Sequence, residues 1–155
     1  MYLFNDKEKS LGRETYTYKN IRHPSFPHFY GETKEGGGGL IIEYIRGRTL
    51  DKIKMNELIQ EEKINIILQL MFIFEYLKYH HFIYRDLKPN NIIYDGNHQI
   101  ILLDFDKMIN LRELETCYSI TRDFGNPFMC PEIEKGRIKQ YSFKEDVYSI
   151  GVLIY

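Results

Sequence analysis

The chain has 155 residues, enough for one domain with a buried core, and its 43% hydrophobic and 28% charged content is that of a globular protein. A net charge of -1 with dispersed basic residues argues against a nucleic-acid-binding surface. Cys117 and Cys130 show neither CxxC nor zinc-ligand spacing and residues 1–7 lack the apolar core of a signal peptide, so a reduced cytoplasmic protein is expected, with the nucleus as the other compartment.

Residues 7–21 are polar-rich and predict a helix. His23-Pro24 and Phe26-Pro27 interrupt it, because a residue before proline is pushed out of the helical region. Residues 29–33 and 40–45 predict short strands around a glycine-rich turn. That tetraglycine, Gly36 to Gly39, follows no GxGxxG pattern and precedes no Lys-Ser/Thr pair, so it reads as a turn and not as a phosphate cradle. Residues 50–60 and 61–79 predict two helices. In the second, Ile64, Ile67, Leu68, Met71 and Phe74 recur at helical spacing and are expected to face the core. Asn65, Gln69 and Glu75 break the apolar run, which suits a buried amphipathic helix and no membrane span. His80-His81 lacks a partnering cysteine and reads as a helix C-terminus. Residues 92–94 and 100–103 predict a hairpin across Asp95-Gly96-Asn97-His98. Residues 107–142 predict a long loop, and such loops are usually functional. An apolar helix is expected from Val147.

Between the long helix and the hairpin lies Ile83-Tyr84-Arg85-Asp86-Leu87-Lys88-Pro89-Asn90-Asn91-Ile92-Ile93. It sets an aspartate and an asparagine five positions apart, with a lysine two after the aspartate. Thirteen residues past Asn91, Asp104-Phe105-Asp106 adds a second acidic site. A carboxylate to steer a hydroxyl, an ammonium beside a migrating phosphoryl group, and oxygen ligands for Mg²⁺ are what phosphoryl transfer needs. The plainer alternative is a polar turn whose Asp and Asn satisfy backbone groups. A lone Arg-Asp pair would deserve that reading; the full string at this spacing outweighs it.

The string resembles the catalytic loop and metal-binding segment of eukaryotic protein kinases of the serine/threonine type. The resemblance implies that Asp86 is the catalytic base, Lys88 the contact to the γ-phosphate, Asn91 the second-metal ligand and Asp104 the aspartate that chelates Mg²⁺. Leu40-Ile41-Ile42-Glu43-Tyr44-Ile45 looks like strand and hinge, with Ile42 as gatekeeper and the backbone of Glu43 and Ile45 bonding adenine. Ile93 would pack under the base. Glu14, nine residues before His23, matches the glutamate of the regulatory helix and is taken with the catalytic set. Tyr18, Phe29, Phe105 and Tyr84 would then stack as the regulatory spine. Gly125 to Glu132 resembles the end of an activation segment, and Asp146-Val147-Tyr148-Ser149-Ile150-Gly151 the start of the central helix. Asp146 would cap the catalytic-loop backbone, and Arg85 would pair with a phosphate on Thr116, Tyr118, Ser119 or Thr121.

The implied fold class is α+β, a truncated protein-kinase-like fold. Residues 1–45 would be the rest of the small lobe and the hinge, and residues 46–155 the large lobe up to the start of the central helix. The implied activity is transfer of the ATP γ-phosphoryl group to Ser or Thr hydroxyls of a protein substrate, with ATP and Mg²⁺ as cofactors. There are two departures within the motifs. Tyr84 replaces the usual histidine, and Asp106 replaces a glycine, where aspartate tolerates positive φ less well by about 1–2 kcal/mol. The glycine-rich phosphate loop and its lysine are not found before Glu14 and would lie upstream of Met1. Together these keep an inactive pseudokinase or truncated interaction scaffold as the alternative. Pro131-Glu132 argues against a small-molecule kinase of related fold.

Overall fold

A computed structural model of the chain describes residues 6–33, 38–113, 127–134 and 142–155. Helix α1 spans Asp6–Asn20. The two Xaa-Pro pairs then turn the chain, and this turn is tied down on two sides. Arg22 N donates to the Tyr76 hydroxyl at 2.9 Å, and Leu102 N donates to Ser25 O at 2.8 Å. Strands β1 (Phe29–Thr33) and β2 (Gly39–Ile42) pair antiparallel, with an irregularity at Tyr30 between the pairs Phe29↔Ile42 and Gly31↔Ile41. β2 ends at Ile42, short of the expected 45, and the backbone runs on as coil.

The helix expected over residues 50–60 does not form. Strand β3 (Arg48–Thr49) runs into a single 3-10 turn, Leu50–Lys52. Glu57 then closes a tight turn: its carboxylate accepts Lys54 N at 3.0 Å and Arg48 Nη1 at 2.8 Å, while its own N–H donates to Lys54 O at 2.8 Å. Of the apolar residues of this stretch, Ile53 and Leu58 are buried, from turns and not from one helix face, while Met55 and Ile59 are exposed.

Helix α2 spans Gln60–Tyr79. Its first residue follows Ile59, which has no side-chain acceptor, so only the glutamate half of a capping box exists, Glu62 Oε2 accepting Ile59 N at 2.9 Å. The buried stripe is Ile66, Leu70, Ile73 and Leu77, whereas Ile64, Leu68 and Met71 are 48%, 47% and 57% exposed. The expected core face is therefore corrected: the buried stripe lies away from Ile64, Leu68 and Met71, while the expected Ile67 is half-buried at its edge. Both stripes keep helical spacing and the helix is apolar nearly all round, so periodicity alone does not choose between them. Phe74 fits the expectation in part, packing edge-on to Tyr84 at 6.0 Å. Gln69 and Asn65, which interrupt the apolar run, grip the hairpin: both amides donate to His98 O, at 2.6 and 2.9 Å, and Gln69 Oε1 accepts Ile100 N at 3.0 Å.

Strands β4 (Phe82–Ile83), β5 (Ile92–Tyr94), β6 (Ile100–Leu102) and β7 (Ile109–Asn110) complete two small sheets, β3-β5-β6 and β4-β7, both antiparallel. The β5–β6 turn is the expected one, with Asp95 Oδ1 accepting Asn97 N at 2.7 Å and Gln99 N at 3.0 Å. A short helix α3 (Pro131–Glu134) and helix α4 (Phe143–Ile154) follow. α4 starts before Val147 because Ser142 and Glu145 form a capping box, Glu145 Oε2 accepting Ser142 N at 2.7 Å. The architecture is α+β, as expected. The main core gathers Tyr18, Leu70, Ile73, Tyr84, Leu102 and Phe105, and a second cluster holds Ile83, Ile109, Cys130 and Ile133. Among the described residues no helix is long and apolar enough to cross a membrane.

Candidate active site

The loop from Tyr84 to Asn91 joins β4 to β5 and is held from beneath. Arg85 adopts φ 72°, a left-handed conformation costing about 1–2 kcal/mol for such a residue, and Asp104 adopts φ 61°, which aspartate tolerates better; Asp106 has no positive φ, so the strain expected there is corrected. Asp146, from the first turn of α4, accepts Tyr84 N at 2.8 Å and Arg85 N at 2.9 Å on its two oxygens, which is the expected cap. Its carboxyl is buried and pushed up to about 6, chiefly by that burial, with the two backbone bonds opposing the rise. Tyr84 is fully buried and its hydroxyl donates to Leu103 O. Pro89 opens the 3-10 turn Pro89–Asn91, where its lacking N–H costs nothing. Leu103 N donates to Asn91 O at 2.8 Å, fastening the loop to the Asp104 segment.

These anchors converge on Asp86, which is buried at 2% exposure. Lys88 Nζ at 2.8 Å and Asn91 Nδ2 at 3.1 Å donate to its Oδ2, and Lys107 Nζ donates to Oδ1 at 3.0 Å. Asn91 Nδ2 also donates to Asp86 O at 3.0 Å, which turns the amide oxygen away as the ligating end of that side chain. Asp86, Asp104 and Asp106 each offer one oxygen, all within 4.8 Å of one another. Partial burial, then the Asp106 carboxylate, pushes the Asp104 carboxyl up to about 6. Glu14 lies beside the same group: partial burial and then Asp104 raise its carboxyl, while the Phe105 N–H lowers it. A set of hard oxygens from an amide and carboxylates fits Mg²⁺, which binds through one or two carboxylates and keeps waters.

The four aromatic residues of the expected spine are in register. Phe29 stacks on Tyr18 at 5.6 Å, Tyr18 meets Phe105 at 4.8 Å, and Phe105 meets Tyr84 edge-on at 6.3 Å. The Tyr18 hydroxyl is buried without a partner among the described residues, and burial raises its pKa, with Glu14 adding to the rise.

On the side expected to take the base, Glu43 N donates to His28 O at 2.8 Å, so Glu43 can offer a purine only its carbonyl. Ile45 is half-buried in the coil that follows β2. Ile93 is half-buried opposite Thr49 and Ile101. Gly47 explains how the chain passes so close to it: a Cβ there would lie 2.5 Å from both Ile93 Cγ2 and Tyr94 O.

Three participants lie outside the sequence motifs. Lys107 reaches Asp86, Arg13 Nε donates to Asp106 O at 3.0 Å, and Gly47 gives the close approach. The sequence signal for Lys107 is its place directly after Asp104-Phe105-Asp106; Arg13 sits in a polar helix with nothing to mark it. Arg85 Nη1 donates to Lys107 O at 3.2 Å. Thr116, Tyr118, Ser119 and Thr121, the expected phosphate positions, lie outside the described residues, as do Gly125 and Asn126.

The sequence profile of the protein kinase domain matches residues 3–155. The chain is 28% identical over 152 residues to the cell cycle serine/threonine-protein kinase CDC5/MSD2 of Saccharomyces cerevisiae, covering 95% of this chain and 21% of that protein. It is 30% identical over 153 residues to the probable serine/threonine-protein kinase kinX of Dictyostelium discoideum, covering 96% and 14%. The human serine/threonine-protein kinase 32B is 26% identical over 156 residues, covering 97% and 37%. The chain thus spans well under half the length of each of these relatives. With the profile matching nearly its whole length, the chain belongs to the protein kinase domain family.

Proposed function

We propose that the protein transfers the γ-phosphoryl group of ATP to Ser or Thr hydroxyls of protein substrates. The observation that carries this reading is the buried Asp86 carboxylate, fixed by Lys88 and Asn91 with Asp104 within 4.8 Å. Asp86 accepts the hydrogen bond of the attacking hydroxyl, orients its lone pair, and takes its proton as the new O–P bond forms and the bond from the γ-phosphorus to the bridging oxygen breaks, releasing ADP. Lys88, two residues on, supplies positive charge beside the migrating group. Asn91 and Asp104 are the residues that would hold Mg²⁺, which when bound neutralises charge on the triphosphate. Glu43, Ile45 and Ile93 form the side that receives the base, and Glu14 borders the metal end. Ser/Thr preference rests on Lys88-Pro89 and on the names of the similar kinases.

One observation favours a second reading, a non-catalytic interaction module. Asp106 adds a carboxylate where three acidic groups already crowd, and it repels phosphate. The test is transfer from γ-labelled ATP by the intact protein, with Mg²⁺, to a library of Ser, Thr and Tyr peptides. Label in Ser and Thr peptides and none in their Ala counterparts supports the kinase reading. Label only in Tyr peptides removes the specificity assignment. Mg-ATP binding by calorimetry with no transfer to any peptide selects the interaction module.

A further inference from the structure

The base in this site is covered. A carboxylate can accept about four hydrogen bonds, and three donors already reach Asp86: Lys88 and Asn91 on Oδ2 and Lys107 on Oδ1. The side chain is only 2% exposed, so a hydroxyl cannot reach the remaining acceptor position without something moving. Lys88 and Asn91 belong to the loop itself and share one oxygen, with Pro89 and the 3-10 turn between them. Lys107 comes from the segment after Asp104, holds the other oxygen, and is 30% exposed. Its backbone is fixed behind it, with Arg85 Nη1 donating to its carbonyl and the next residue, Met108, donating its N–H to Phe105 O at 3.1 Å. Of the two ammonium groups on Asp86, that of Lys107 is the more exposed, at 30% against 25% for Lys88, and it is the one that sits on Oδ1.

We propose that Lys107 is an acceptor-side gate: its ammonium occupies the position on Asp86 Oδ1 that the substrate hydroxyl must take, so the hydroxyl enters by displacing it. This rests on the assignment of Asp86 as the base. In the resting protein the hydroxyl gains one hydrogen bond to Asp86 and the lysine loses one, so the hydroxyl adds little to substrate affinity. Once the ammonium is removed, the hydroxyl makes its bond to the carboxylate without that exchange.

The test compares a Ser peptide that the protein phosphorylates with its Ala twin, binding each to the intact protein with Mg²⁺ and a non-transferable imido analogue of ATP. The wild type is expected to bind the two peptides alike. Lys107→Met, which keeps the aliphatic stem, is expected to bind the Ser peptide about tenfold more tightly than the Ala twin, the size of one charge-assisted hydrogen bond. Lys107→Arg keeps a cation and is expected to restore the wild-type ratio. Loss of folding would weaken both peptides together and leave the ratio unmoved, so the ratio reads the gate and not stability. An equal Ser/Ala ratio in wild type and a folded Lys107→Met overturns the gate alone. If the wild type transfers phosphate to no Ser or Thr peptide, the base assignment and the gate fall together.

Discussion

Replacing Asp146 by alanine strips two backbone donors of their acceptor, Tyr84 N at 2.8 Å and Arg85 N at 2.9 Å. A buried donor left unpaired costs about 1–3 kcal/mol, so the two together cost about 2–6 kcal/mol. The carboxylate itself is held at a cost. Burial pushes it up to about 6 from an ordinary 3.8, so keeping it charged in the folded protein at neutral pH costs about 3 kcal/mol. Subtracting one from the other leaves a net loss of no more than about 3 kcal/mol at pH 7. The pH dependence follows from the direction of the shift. The folded value lies above the unfolded one, so the protonated form stabilises the fold; that stability is complete below about pH 4 and lost as pH rises through about 6. Wild type therefore gains about 1 kcal/mol from this group between pH 7 and pH 5, which the alanine variant lacks. Urea denaturation at the two pH values measures both proteins, and contributions from Asp104 cancel because both carry it. The substitution is expected to cost about 1 kcal/mol more at pH 5 than at pH 7. An equal or smaller cost at pH 5 would refute the reasoning, because a carboxylate stabilised in its charged form gives the opposite slope. Activity should fall too, by about a hundredfold, since Arg85 is then free to leave φ 72° and carry Asp86 with it.

Gly47→Ala places a Cβ 2.5 Å from Ile93 Cγ2 and from Tyr94 O, and backbone cannot yield as a side chain would; a loss of about 2–4 kcal/mol is expected in chemical denaturation. Unchanged stability would show that β5 relaxes freely there. Tyr18→Phe keeps the ring stack and removes a buried hydroxyl with no partner among the described residues, so stability should rise by about 1 kcal/mol. A drop in the unfolding midpoint would mean that the hydroxyl is hydrogen-bonded. Asp104, pushed up to about 6, must lose its proton to ligate a metal, so Mg²⁺ affinity read by calorimetry should weaken about tenfold from pH 7 to pH 5. Affinity that stays flat over that range would separate Asp104 from the metal.

The site was more legible than the packing around it. Asp86, Lys88, Asn91 and Asp104 lie in two short strings where spacing and neighbours dictate the geometry, and Asp146 and the four ring residues fell where the family order puts them. Local turn chemistry was readable as well: Asp95-Gly96-Asn97-His98 closes the hairpin it suggested. What failed needed tertiary information. Helix α2 carries apolar residues on nearly every face, and the choice of Ile66, Leu70, Ile73 and Leu77 is made by what packs against them. Asn65 and Gln69 read as interruptions of an apolar run, yet they are the groups that bind the hairpin backbone. Residues 50–60 have helical composition but spend it on a turn closed by Glu57, a bond to Arg48 that spacing does not announce. Lys107 follows directly on Asp104-Phe105-Asp106, but its bond to Asp86 spans two segments, and adjacency alone does not name that partner.

The central claim is that Asp86 is the base of a phosphoryl-transfer site, and single-turnover transfer to a Ser peptide by wild type and Asp86→Asn tests it most directly. Asparagine preserves size and can still accept from Lys88, so the variant should fold and bind Mg-ATP, which calorimetry on the same samples verifies. The transfer step should slow by about a hundredfold or more, the contribution of a positioned general base. Equal rates for a folded, nucleotide-bound Asp86→Asn and wild type would contradict the account.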